Sequence, residues 1–145
     1  NNLNMYADWF DRCCGGTWVS HRRYLMGPKK KIDNLVTEFS TEKRGDCEYA
    51  VLWNSDRNEG EMGLRLDGDT VVRSRNYFEG EEGTTTRLER IDNDTVVFHS
   101  AYGGMEYREE IRFLQNDKYR LRQTVGYKEG TDIAIVIGQY WEERV

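Results

Sequence analysis

At 145 residues the chain has the length of one domain, whose commonest size is roughly 100–150 residues. Its 37% hydrophobic residues allow a core, while 32% charged residues and a formal net charge of -5 imply a strongly ionic surface. The longest basic run is Lys29-Lys30-Lys31, which argues against nucleic-acid binding, and no apolar stretch has the length of a membrane span or signal-peptide core.

Leu3, Tyr6, Trp9, Phe10 and Cys13 follow the three/four spacing of one apolar face, so residues 3–14 read as a helix, stopped by Gly15-Gly16. From there the period is two. Turn residues recur about every ten positions and divide the rest into about ten strands. In chain order these are Thr17–Met26, Ile32–Thr41, Cys47–Trp53, Glu61–Leu66, Thr70–Phe78, Thr84–Ile91, Thr95–Tyr102, Met105–Leu114, Lys118–Tyr127 and Asp132–Trp141. Hairpin after hairpin with one leading helix predicts an all-β fold, an up-and-down antiparallel barrel in a single domain, because closure removes the exposed edges of so long a meander. A barrel of this size holds packed side chains or one small ligand. Charges at both strand parities favour a ligand cavity over a dry interior. Aromatic residues at 12% suit a flat or greasy ligand and ordinary packing equally.

The charge pattern is densest around residues 108–124. Arg108, Glu110 and Arg112 share one strand face, and Arg120, Arg122 and Thr124 share another. An odd-numbered hairpin loop sets Glu110 opposite Arg122; an even one sets Arg122 beside Ile111. The plainer explanation is a solvated ladder of ion pairs, each worth at most about 1 kcal/mol. The other is a cup of guanidinium groups with one carboxylate, suited to a ligand carrying carboxylate tails and N–H donors. His21 and His99 have no metal-ligand spacing, and no phosphate loop, zinc pattern or nucleophile elbow is present. Cys13, Cys14 and Cys47 form a poor disulfide framework and fit a reducing, cytoplasmic setting. Ile133 to Ile137 are apolar at both parities, so a cover by the helix or by a second subunit is expected.

These segments resemble the S/U-type bilin lyases of phycobiliproteins, a family with a lipocalin-like or fatty-acid-binding-protein-like barrel. Trp9-Phe10 and then Gly16-Thr17-Trp18-Val19-Ser20-His21-Arg22 resemble the family's aromatic helix and its Gly-x-Trp-x-Ser-Gln-Arg-Thr segment. Trp53 looks like its cavity tryptophan, and Asn58-Glu59-Gly60 resembles its next hairpin segment. Glu109-Glu110 followed by Tyr119-Arg120-Leu121-Arg122-Gln123-Thr124 is similar to Glu-Glu-Arg followed by Leu-Arg-Leu-Arg-Thr-Ser at the same distance. The chain departs from that pattern at His21, Arg23, Ile111 and Thr124, and its loops between the fourth and seventh strands look shorter.

The resemblance implies an open-chain tetrapyrrole ligand, phycocyanobilin or phycoerythrobilin, with no permanently bound cofactor and no metal. It assigns catalysis to Glu110 and Arg122, and ligand binding to Trp53, Arg120, Arg122, Thr124, Arg22 and Trp18. Arg120 and Arg122 would hold the two propionates, Glu110 would hydrogen-bond the pyrrole nitrogens, and Trp53 would wall a ring. The implied reaction adds a cysteine thiol of an apo-phycobiliprotein subunit to the ring A ethylidene group, so the lyase needs no reactive cysteine of its own. A homodimer or a related lyase subunit is a further expected partner. The expected location is the cytoplasm of a cyanobacterium or phage-infected host, or the plastid stroma of an alga. A non-catalytic bilin or lipid carrier of the same barrel class is the alternative.

Overall fold

Period-two patterning from Trp18 onward is realised as one continuous sheet. The computed structural model describes residues 5–27, 31–54, 58–73 and 85–145. One helix, α1 (Ala7–Cys13), precedes β1 (Trp18–Met26), β2 (Lys31–Gly45), β3 (Glu48–Asn54), β4 (Glu59–Asp67) and β5 (Thr70–Arg73). Then come β6 (Thr85–Arg90), β7 (Thr95–Tyr102), β8 (Met105–Leu114), β9 (Tyr119–Lys128) and β10 (Ala134–Arg144). Each strand pairs antiparallel with its sequence neighbours, and β1 pairs with β10, which closes the barrel. Closure is the expected fold, with all ten strands in the expected order. β2 and β10 run longer than read from sequence, while residues 3–4, 74–78 and 84 of the expected elements lie outside the described residues.

The helix does not lie on the outside of β10. It plugs one end of the barrel with Trp9, Phe10 and Cys13, which join Trp18, Phe39, Tyr49, Leu66, Val71, Leu88, Val96, Ile111 and Phe113 in the core. Burying these side chains is the main stabilising term, about 1.5–3 kcal/mol for each large one. Directional bonds then fix the plug. Trp9 Nε1 donates to Asp94 O at 3.0 Å and Tyr6 Oη donates to Leu88 O at 3.3 Å. Arg144 donates to the carbonyls of Arg12, Cys14 and Gly15, satisfying the end of the helix where backbone acceptors have no partner. Ile133 and Ile137 remain exposed, so the expected cover over that outer surface is not supplied by the helix.

Candidate ligand-binding site

The β8–β9 hairpin decides which charges enter the barrel. Leu114 pairs with Tyr119, so four residues make the connection. Gln115, Asn116 and Asp117 hold left-handed φ angles of 50, 52 and 65°, which Asn and Asp tolerate better than most residues. Arg12 of the helix fastens this turn through Asp117, with bonds of 3.0 Å from Nε and 2.7 Å from Nη2. The even loop sets Ile111 opposite Arg122, and Glu109 opposite Thr124. Glu109 therefore points inward with Arg120, Arg122 and Thr124. Glu110 points outward, in register with Gln123 and Val97, and its nearest cation is Arg108 at 3.8 Å. The expectation that Glu110 meets Arg122 is corrected by this register, since strand neighbours face opposite sides.

Inside, an ionic chain runs across β8, β9 and β10. Arg120 donates from Nε and Nη2 to Oε1 of Glu142 at 2.9 and 2.8 Å, and from Nη1 to Cys13 Sγ at 3.4 Å. Arg122 bridges two carboxylates, donating from Nη1 to Glu142 Oε2 at 3.1 Å and from Nη2 to Glu109 Oε2 at 3.0 Å. The Thr124 hydroxyl donates to the same Glu109 oxygen at 2.8 Å. Oε1 of Glu109 thus accepts no bond in this chain of contacts, and Arg122 Nε is buried without an acceptor.

Burial alone would raise both carboxyl pKa values, but the arginines prevail. Burial opposes ionisation of Glu142, yet Arg122 and Arg120 bring its pKa down to about 2. Glu109 is also lowered, because the attraction of Arg122 and the bonds from Arg122 and Thr124 outweigh desolvation. Both are ionised acceptors near neutral pH. Burial followed by the charge of Glu109 raises the Tyr140 hydroxyl, which stays protonated.

Tyr140 joins the second half of the site. It pairs in register with Arg22 on one side and Arg122 on the other, and both guanidinium groups sit by its ring, 4.9 and 4.6 Å from the centroid. Arg22 donates from Nε to Ser20 Oγ at 3.0 Å and makes no ion pair among the described residues. Arg73, inward on β5, has a buried Nη1 without a hydrogen-bond partner.

The structure brings Arg22 of β1 to one wall with Arg120, Arg122 and Thr124 of β9, through Tyr140 of β10 between them. Arg120 and Trp18 sit deeper than a ligand-binding role requires. Arg120 is 4% exposed and spends its donors on Glu142 and Cys13. Trp18 is fully buried, donates to Cys13 O at 3.1 Å, and is flanked by Arg120 and Arg144. Trp53 faces inward on another wall, opposite Gly60, where a Cβ would stand 2.3 Å from its ring. Glycine lets the indole lie across the neighbouring strand. Glu142, Tyr140 and Arg73 were not singled out from sequence, and Glu109 was named only as the neighbour of Glu110 in the matched segment. The reading of the last strand stopped at Trp141, one residue before Glu142; carrying its alternation through Tyr140 would have reached it.

A groove of about 640 Å³ along β2–β4 is lined by Phe39, Trp53 and Gly60, with Glu38, Glu59 and Glu61 beside them. One of about 440 Å³ near the helix end is lined by Arg12, Asp94 and Asp117, already paired with one another. Burial raises the Cys13 thiol and pushes Cys14 up to about 11, so neither is a ready thiolate. Among the described residues no group of His, Cys, Asp or Glu could hold a metal, and no helix is long and apolar enough to cross a membrane.

Fold and site together define a closed up-and-down barrel with an arginine- and glutamate-lined interior. No protein-family model and no curated protein sequence matches the chain. Solved structures do share its fold. The S-type phycobiliprotein lyase CPES from Guillardia theta superposes with a TM-score of 0.70 at 15% identity, over 96% of this chain and 92% of that one. A DUF3598-family protein of unknown function from Nostoc punctiforme gives 0.67 at 12% identity, over 93% of this chain and 48% of the other. Rv2717c from M. tuberculosis gives 0.54 at 9% identity, over 99% and 97%.

Proposed function

We propose that the barrel binds a free phycobilin and attaches it, through a thioether, to a cysteine of a phycobiliprotein subunit. The observation that carries this reading is the inward Glu109, an ionised carboxylate with one oxygen held by Arg122 and Thr124 and the other without a bond among the described residues. An open carboxylate oxygen accepts pyrrole N–H donors and stabilises the protonated, electrophilic tetrapyrrole. Arg22 and Arg122 beside Tyr140 suit a propionate and a flat ring together. Trp53 on β3 walls a ring from another part of the lining. The shared fold with an S-type phycobiliprotein lyase supports the same assignment.

In the proposed step the acceptor subunit's thiolate adds to the ring A ethylidene carbon. A carbon–sulfur bond forms, the exocyclic double bond breaks, and a proton ends on the chromophore. No group leaves and no oxidant is needed. The barrel's own thiols, protonated and buried or half-buried, take no part. Its work is to hold one bilin conformer and present ring A at the rim. This requires access to phycobilin and apo-subunit, and therefore the cytoplasm of a cyanobacterium or infected host, or a plastid stroma.

Mixing the protein with phycocyanobilin or phycoerythrobilin is expected to shift and sharpen the visible band. Adding an apo-phycobiliprotein subunit is then expected to yield a chromophore that survives denaturation. Binding without covalent transfer would leave a bilin carrier; no spectral change would remove both tetrapyrrole readings.

A further inference from the structure

Arg73 is the inward cation that the site described above does not use. It follows Val71 by two residues on β5, and Val71 is buried in the core, so Arg73 shares its inward side. Its strand partner Leu64 packs against that core. On β6, Thr86 pairs with Val71 and is 1% exposed. Both polar ends are buried without a partner among the described residues: Arg73 Nη1 and Thr86 Oγ1. A buried donor without an acceptor costs its full desolvation, about 1–3 kcal/mol and more for a charged group. Two such donors on adjacent strands, facing one interior, lack the acceptor that would satisfy them.

Their place in the barrel gives the arrangement meaning. In the closed order β5 lies five strands from β10 in either direction. It therefore stands across the interior from Tyr140, the ring that Arg22 and Arg122 flank. Arg120 and Arg122 are neutralised by Glu142 and Glu109, whereas Arg73 forms no ion pair among the described residues.

We propose that Arg73 and Thr86 form a second anion subsite, which receives a carboxylate of a ligand whose other acidic group lies against Arg22 and Arg122. The ligand class is a flat, conjugated dicarboxylate that spans the barrel. The assignment to a bilin propionate rests on the function proposed above; the anion subsite does not.

Titration of the full chain with phycocyanobilin tests it, using wild type, Arg73→Met, Arg73→Lys and Thr86→Val. Loss of a charge-assisted bond is expected to weaken binding of the diacid about tenfold or more in Arg73→Met. Arg73→Lys is expected to recover part of the loss, and the dimethyl ester to bind wild type and Arg73→Met equally. Thr86→Val, which removes a hydroxyl without a protein partner, is expected to melt no lower than wild type while binding the diacid more weakly. Diacid binding unchanged in Arg73→Met overturns the subsite. If wild type binds no phycocyanobilin, the tetrapyrrole function fails by itself, and the aromatic anion 8-anilinonaphthalene-1-sulfonate decides the subsite. Weaker binding of that probe to Arg73→Met supports it, and equal binding overturns it.

Discussion

Arg122 reaches Glu109 at 3.0 Å across the β8–β9 ladder, although the residue directly opposite Arg122 is Ile111. The contact is a diagonal one, made possible by the length of the guanidinium arm, and it holds an ionised carboxylate inside the barrel with one oxygen unused. The network behind it is structural and the groups in front of it are available, and that division leads to separate expectations.

Arg120 and Glu142 belong to the structural part. Arg120→Met would leave Glu142, fully buried, with Arg122 as its one remaining cation. Chemical denaturation is expected to show a loss of about 3–5 kcal/mol. Removing both members in Arg120→Met/Glu142→Met should recover much of that loss, since well-packed apolar replacements of a buried pair are often close to neutral. A double variant less stable than Arg120→Met would show that the pair itself stabilises the barrel.

Glu142 also sets an acid limit. Its folded pKa of about 2 lies below its ordinary value, so the unfolded chain binds the proton more tightly. The associated stability is fully present above pH 4.5 and is lost as pH falls towards 2, amounting to about 3 kcal/mol. Denaturant midpoints measured between pH 7 and 2 should be level with respect to this group at the upper end and fall steeply below about pH 4.5. A midpoint constant from pH 5 to 2 would show that Glu142 is not held as a paired anion.

Gly60 tests the aromatic lining. A methyl group there would meet the Trp53 ring at 2.3 Å, so Gly60→Ala forces the indole off its strand. Near-UV circular dichroism should change and bilin affinity should fall, while the far-UV spectrum stays that of the barrel. The expected destabilisation is about 1–3 kcal/mol, the usual range for overpacking. Unchanged near-UV signal and affinity would remove Trp53 from the site.

Arg22 separates binding from stability. Its guanidinium has a hydroxyl and two rings as neighbours and no carboxylate. Arg22→Met should leave the melting temperature near that of wild type but weaken binding of the bilin diacid about tenfold. Weakened stability with intact affinity would assign Arg22 to the structural network instead.

The fold was readable because its signals are local. Period-two strands, turn residues about every ten positions and a single amphipathic helix each act within about ten residues. The shared face of Arg120, Arg122 and Thr124 was readable for the same reason, since alternation within one strand groups its residues, whereas Arg22, on β1, came only from the resemblance. Glu109 against Glu110 was not, because the answer depends on the parity of a four-residue loop whose turn is fastened by Arg12 from the far end of the chain. Arg73 lay beyond reach too. Its importance comes from facing Tyr140 across a closed barrel, a relationship that strand spacing does not encode.

The most direct measurement is the visible spectrum of phycocyanobilin titrated with wild type, Glu109→Gln and Glu110→Gln. Wild type and Glu110→Gln are expected to give the same shifted, sharpened band at the same affinity. Glu109→Gln is expected to bind about tenfold more weakly or worse and to lose the shift, because its amide does not stabilise a protonated tetrapyrrole. Loss of the band in Glu110→Gln, with Glu109→Gln behaving as wild type, would contradict the inward carboxylate and the site built around it.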